Sequence, residues 1–119
     1  MFDLKYYILE KLHIGKDSKF KEALSCSEVI SIIKDILKSY KIDEGDINIH
    51  FGKYPKVTLD IINYRYYYDK GLVPSVIKLF PELIRKLEDA GLEFSKKPKF
   101  AQSASFNFYI NNLKNEELK

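Results

Sequence analysis

The stretch KVTLDIINYRYYY, residues 56–68, constrains the fold most, because apolar and polar side chains alternate in its first half and tyrosines crowd its end. Successive side chains of a strand point to opposite faces of a sheet, so this alternation predicts one long strand with two different faces. The face predicted to be buried carries Val57, Leu59, Ile61, Asn63, Arg65 and Tyr67. The opposite face, predicted to be usable for binding, carries Thr58, Asp60, Ile62, Tyr64, Tyr66 and Tyr68.

Three other segments show the same period of two and are also predicted to be strands, at residues 2–9, 47–51 and 100–110. Gly52 and Pro55 supply turn residues between the second of these segments and the central stretch. The sequence therefore predicts a hairpin whose two strands are joined by four residues.

Two segments instead repeat apolar residues at helical spacing. Ser25 and Glu28 have the spacing of a capping box, which predicts a helix over residues 26–40. A second helix is predicted over residues 74–90, between a proline suited to its first turn and a glycine just past its end. Pro81 lies inside this second helix and has no N–H to donate, so a kink or a broken first turn is expected there.

The resulting order of strand, helix, strand, strand, helix, strand predicts an α+β fold of the ferredoxin-like βαββαβ type. In that arrangement two helices pack on one face of a four-stranded antiparallel sheet and the other face stays open. At 119 residues, of which 45% are hydrophobic, the chain fits a single domain with a real core. We expect one domain over residues 1–119, with a polar tail at residues 112–119.

This topology also predicts where polar and basic side chains collect. The open face would be rich in tyrosine, and the loops at one end of the sheet would form a lysine-rich rim. The residues expected to bind a partner are Tyr7, His50, Tyr64, Tyr66 and Tyr109 on the face and Lys53, Lys56, Lys96, Lys97 and Lys99 on the rim.

Tyrosine is common at protein interfaces, so the first hypothesis is a non-enzymatic module that binds another protein, as an adaptor or an inhibitor. Aromatic rings beside lysines also suit single-stranded nucleic acid, whose bases stack on rings while its phosphates meet the cations. That binding mode is the alternative for the same face. A second copy of the chain is a further partner of the same kind.

The sequence carries no complete signature of a catalytic site. His50 and Asp60 could face each other across the hairpin, which keeps an enzyme with an unrecognised site as a second alternative, but one histidine and one carboxylate make an incomplete metal or acid–base site. The sequence has no glycine-rich phosphate loop, CxxC pair, HExxH motif or GxSxG motif. We therefore expect neither a cofactor nor a metal.

Charge and cysteine content bear on the cellular compartment of the protein and do not identify its partner. The formal net charge is +3, and a single cysteine, Cys26, rules out an internal disulfide framework. The first residues lack the long apolar run of a signal peptide or a membrane span, so a cytoplasmic protein without a membrane partner is expected. Small size, and an abundance of amino acids whose codons are AT-rich (lysine, isoleucine, tyrosine and asparagine), would suit a protein of a virus or a mobile element that binds a host factor.

Overall fold

The structure is a computed structural model that describes residues 22–53, 55–100 and 104–114. The strand predicted at residues 2–9, and Tyr7 with it, lies outside the described residues. Within the described residues the fold is α+β, with a four-stranded antiparallel sheet and three α-helices.

Helix α1 spans Cys26–Lys38, two residues short of the predicted end. Its predicted capping box is confirmed, because the Glu28 backbone N–H donates to the Ser25 hydroxyl at 3.1 Å and the Ser25 backbone N–H donates to the Glu28 carboxylate at 2.7 Å. The hydrogen bonds from Ser25 hold the pKa of Glu28 below its usual value. Val29, Ile33 and Leu37 are fully buried, so this helix packs with one apolar stripe into the core.

The predicted hairpin is also confirmed. A short 3-10 helix, Glu44–Asp46, leads into strand β1, Ile47–Phe51, which pairs antiparallel with strand β2, Lys56–Ile61. Two backbone hydrogen bonds, from the Gly52 N–H to the Lys56 carbonyl and from the Lys56 N–H to the Lys53 carbonyl, close the connection.

The prediction of one strand through residue 68 is wrong, because β2 ends at Ile61 and helix α2 spans Tyr64–Asp69. Asn63 adopts the left-handed conformation, with φ 61° and ψ 32°, which asparagine tolerates better than most residues. Its side-chain amide donates to the Asp46 carboxylate at 3.2 Å. This residue therefore turns the chain out of the sheet and into a helix.

Helix α3 spans Val76–Asp89 and buries Leu79, Leu83 and Leu87. The helix continues through Pro81, so of the expected kink or broken turn at that proline the broken turn is not found. Gly91 has φ 117° just after the helix, as expected for a glycine past a helix end. No helix of the described residues is both long and apolar enough to cross a membrane.

The last predicted strand is likewise corrected. Residues 100–110 are not one strand, because β3, Lys99–Phe100, and β4, Ser105–Tyr109, pair with each other antiparallel. The sheet order is β1-β2-β4-β3. Strand β2 pairs with β1 along one edge and with β4 along the other, which leaves it no edge for a further strand. The ferredoxin-like order is therefore not confirmed.

Alternation within the strands sorts their side chains as predicted from the sequence. Val57, Leu59, Phe106 and Phe108 are fully buried in one core cluster with the apolar stripes of α1 and α3. The core also includes residues 112 and 113, which the sequence assigned to the polar tail: the Asn112 side chain hydrogen-bonds the backbone of residues 22, 91 and 93. The intervening strand residues form the opposite face of the sheet, which is partly exposed.

Candidate functional site

The sheet face opposite the core is polar. Thr58 donates its hydroxyl proton to the Asn107 side-chain oxygen at 2.9 Å across β2 and β4. His50 lies opposite Thr58 on β1 and is exposed. Asp60, two residues along β2, lies opposite Asn48. The face thus offers hydroxyl, amide, imidazole and carboxylate groups in a row between two concave regions at its ends.

His50 and Asp60 are diagonal neighbours in the hairpin rather than a facing pair. Nothing in the geometry of β1 and β2 joins them by a hydrogen bond, and the described residues contain no cluster of three or more groups that could hold a metal ion. The arrangement provides two separate polar groups, not an assembled acid–base pair.

At the end of β2 lies a groove of about 900 Å³, here called the tyrosine groove. It forms where β2, helix α2 and the start of α3 meet. Its walls are Asn48, Asp60, Ile61, Ile62, Asn63, Tyr64, Arg65, Tyr68, Ser75 and Val76.

Two tyrosines form the aromatic wall of the tyrosine groove. Tyr64 and Tyr68 lie one helical turn apart on α2, and their rings stack with centroids 6.3 Å apart and planes 12° apart. The Tyr64 hydroxyl donates to the backbone carbonyl of Pro74, which ties α2 to the segment before α3. Burial of the Tyr64 ring, and secondarily its neighbour Tyr68, raise the pKa of Tyr64, so the hydroxyl stays protonated as a donor.

Charged groups of both signs line the same groove. Arg65 forms an ion pair with Asp69 at 3.2 Å, one turn further along α2. Asp60 is half-buried on the sheet face, and no described lysine or arginine lies within ion-pair distance of its carboxylate. The groove therefore combines stacked rings with a carboxylate whose charge is not balanced within the described residues.

Tyr66, a predicted binding residue, does not line the tyrosine groove. Its side chain is 56% exposed on another side of α2, with the Lys70 ammonium 5.5 Å from the ring centroid. Tyr67 is 4% exposed, donates its hydroxyl proton to Asp46 and accepts from the Asp43 backbone N–H at 3.0 Å. The first of these hydrogen bonds, and then burial, raise the pKa of Tyr67. Tyr67 thus anchors α2 to the loop before β1.

At the opposite end of β2 lies a second concave region of about 470 Å³, here called the basic cleft. Its walls are Gly52, Lys53, Pro55, Lys56, Ser95, Lys96 and Tyr109. The Lys96 ammonium lies 4.7 Å from the centroid of the Tyr109 ring, and Lys56 lies directly opposite Tyr109 across β2 and β4. The structure therefore brings together four of the predicted binding residues.

The remaining predicted lysines lie beside the basic cleft rather than in its walls. Lys97 and Lys99 are exposed, and Lys99 lies opposite Asn107 on the neighbouring strand β4. The nine predicted residues that the structure describes thus fall into separate groups. Tyr64 belongs to the tyrosine groove, Tyr66 to the far side of α2 and His50 to the middle of the sheet face. Tyr109 belongs to the basic cleft with Lys53, Lys56 and Lys96, and Lys97 and Lys99 lie beside that cleft.

Sequence reasoning missed Tyr68, Ile62 and Val76 as groove residues. A signal was present, because Arg65 and Asp69 are oppositely charged and four residues apart, the spacing of a helical ion pair rather than of a strand. Read at that spacing, Tyr64 and Tyr68 fall on one side of a helix and Tyr66 on another.

Comparison of the chain with protein-family models, with curated proteins and with solved structures finds no match.

Proposed function

We propose that this protein is a small binding module for another protein, and that the tyrosine groove receives a segment of that partner. The observation that carries the proposal is the unbalanced Asp60 carboxylate in the same groove as the stacked Tyr64 and Tyr68 rings. The segment that fits this chemistry carries a lysine or arginine side chain flanked by apolar residues.

Apolar surface supports a protein partner. Ile62 and Tyr68 are 44% and 45% exposed and both line the groove, so they offer apolar surface to a bound segment. Tyrosine is enriched at the centres of protein interfaces because it gives a large rigid contact area with a polar tip. The volume of about 900 Å³ is enough for one or two side chains of a bound segment.

Charge supports a basic residue at the centre of that segment. A lysine or arginine near Asp60 would form a charge-assisted hydrogen bond, and the tyrosine rings beside it would add cation–π attraction. Arg65, the cation of the groove wall, pairs with Asp69 rather than with Asp60. The groove would accordingly select against acidic segments.

The walls of the groove are fixed before any partner arrives. Tyr64 hydrogen-bonds the Pro74 carbonyl and Tyr67 hydrogen-bonds Asp46, so α2 is tied both to the segment before α3 and to the loop before β1. A preorganised groove loses less conformational entropy on binding than a flexible one. This rigidity favours recognition of a short segment.

Selection from a displayed random-peptide library against the purified protein tests the proposal. We expect enriched peptides with a basic residue between apolar ones. Asp60→Asn and Tyr68→Ala should each weaken binding of such a peptide by about tenfold or more, because each removes a central contact.

Two matched variants control for charge and for loss of a ring. Asp35→Asn removes an exposed carboxylate on α1, and Tyr66→Ala removes a tyrosine of α2 outside the groove. Neither should change the affinity more than about twofold. Peptides without a basic residue, or equal losses from Tyr66→Ala and Tyr68→Ala, would contradict the proposal.

A further inference from the structure

The basic cleft draws its lysines from two segments that are distant in the chain. Lys53 comes from the β1–β2 connection and Lys56 from the first position of β2, whereas Lys96 comes from the segment that follows α3. Lys97 and Lys99 extend the same segment toward β3. Five like charges therefore lie around one end of the sheet.

None of these five lysines forms an ion pair with a carboxylate of the described residues. Residues 47–59 contain no aspartate or glutamate, and Glu93 is the one acidic residue in residues 90–100. Such a surface has a positive potential that attracts a ligand with several negative charges.

An aromatic ring lies at the centre of this positive surface. Tyr109 is half-buried in the cleft wall, with Lys96 near its ring and Lys56 directly across the sheet. Beyond the ring, the Thr58–Asn107 pair and His50 continue along the same face as hydrogen-bonding groups. Bases of an unpaired strand can stack on such a ring and meet polar groups beside it, while their phosphates meet lysines.

We infer that the basic cleft is a second binding site, and that its ligand is single-stranded nucleic acid. The site is independent of the tyrosine groove, because Lys56 and Asp60 are four residues apart on β2, about 13 Å along the strand. The two sites share no wall residue, so a peptide in the groove and a strand held by the cleft lysines and Tyr109 would contact different side chains. If the test for one of the two binding activities fails, the proposal for the other is unaffected.

Fluorescence anisotropy with a labelled oligothymidylate of about 12 nucleotides tests the inference over about 50 to 200 mM salt. Three to five phosphate contacts predict that the logarithm of the association constant falls with the logarithm of salt concentration with a slope of about −2 to −3.5. The double variant Lys53→Ala/Lys96→Ala should lower affinity about tenfold or more at the lowest salt. It should also make the slope shallower by about 1.4, since two phosphate contacts are lost.

Stacking is tested separately from charge. Tyr109→Leu should weaken binding roughly fivefold to hundredfold with an unchanged salt slope, while Tyr109→Phe should bind like the unchanged protein. The matched control is Lys78→Ala/Arg85→Ala, which removes two exposed cations from α3 on the other side of the sheet. This control should change affinity by less than about twofold.

Thermal melts of every variant identify any loss of folding. The lysine variants lie in connections, so they keep the test valid even where a change at Tyr109 disturbs β4. Absence of binding at the lowest salt would overturn the inference. So would equal losses from the two double variants, or equal affinity for a duplex of the same length, in which the base faces are not free to stack.

Discussion

The two halves of the stretch at residues 56–69 differ both in composition and in structure. In residues 56–61 every second side chain is buried, and the segment is the central strand of the sheet. In residues 64–69 only Tyr67 is buried, and the segment is a helix outside the sheet. Alternation of aliphatic side chains therefore reports burial, whereas a run of tyrosines does not, because tyrosine is compatible with both exposed and buried positions.

The boundary between the halves is set by Asn63 and Asp46. The Ile62 backbone N–H still bonds to the Asp46 carbonyl, and the Asn63 side chain bonds to the Asp46 carboxylate. From Asn63 onward the backbone is left-handed and then helical, and the Tyr66 N–H donates to the Asn63 carbonyl as the first helical turn. The left-handed turn at Asn63, beside these contacts with Asp46, thus marks where the strand stops.

The largest expected effect separates two adjacent tyrosines. Tyr67→Ala should lower the free energy of unfolding by about 3–5 kcal/mol, because the ring is buried and its hydroxyl holds Asp43 and Asp46. Tyr66→Ala should cost less than about 1 kcal/mol, because that ring is mostly exposed. Urea denaturation measures both values. Equal losses would mean that the helical half is not oriented as described here.

A smaller effect is expected at the boundary itself. Asn63→Val should cost about 1–3 kcal/mol, because a β-branched residue is strained at positive φ. Asn63→Gly, which tolerates that backbone but loses the hydrogen bond to Asp46, should cost clearly less. Thermal melts of the pair measure the difference. If valine were tolerated as well as glycine, the strand would not end by a left-handed turn.

The smallest effect concerns the Tyr67 hydroxyl. Tyr67→Phe should cost about 1–2 kcal/mol at neutral pH, since the hydroxyl's hydrogen bonds with the Asp46 carboxylate and the Asp43 backbone N–H are both removed from a partly buried site. The raised pKa of Tyr67 means that the folded state favours the protonated phenol. Its stabilising contribution is complete below the ordinary tyrosine pKa of about 10 and is lost as pH rises through the raised folded value.

The stability difference between Tyr67→Phe and the unchanged protein should therefore shrink above about pH 10. Denaturation at a series of alkaline pH values measures it, and the other tyrosines cancel because both proteins carry them. A stability difference that stays constant with pH would contradict a pKa of Tyr67 raised by its hydrogen bond to Asp46.

Much of the fold could be predicted from the sequence where local chemistry and burial agree. The capping box at Ser25 and Glu28, the four-residue hairpin connection and Gly91 past a helix end are each set by neighbouring residues. The sheet order could not be predicted, because pairing of β2 with β4 depends on residues almost 50 positions apart. The small hairpin of β3 and β4 was missed for a related reason, since both strands continue one alternating pattern.

The candidate site shows the same division. The meeting of Lys53 and Lys56 with Lys96 followed from the predicted positions of the hairpin turn and of the entry to the last strand, and the structure places them around one cleft. The tyrosine groove did not follow, because it exists only once residues 64–69 leave the sheet and pack beside the start of α3. The alternation of apolar residues along the sequence cannot reveal a turn that involves a carboxylate distant in the chain, here that of Asp46.

We propose that the two ends of β2 are separate binding regions. An NMR titration of isotope-labelled protein tests it amide by amide, first with a peptide selected on the tyrosine groove and then with the oligothymidylate. We expect the peptide to shift the amide signals of residues 60–68 and 75–76. The oligonucleotide should instead shift those of residues 52–56, 95–99 and 109. Both ligands should bind at once. Displacement of one ligand by the other, with shifts at the same residues, would contradict it.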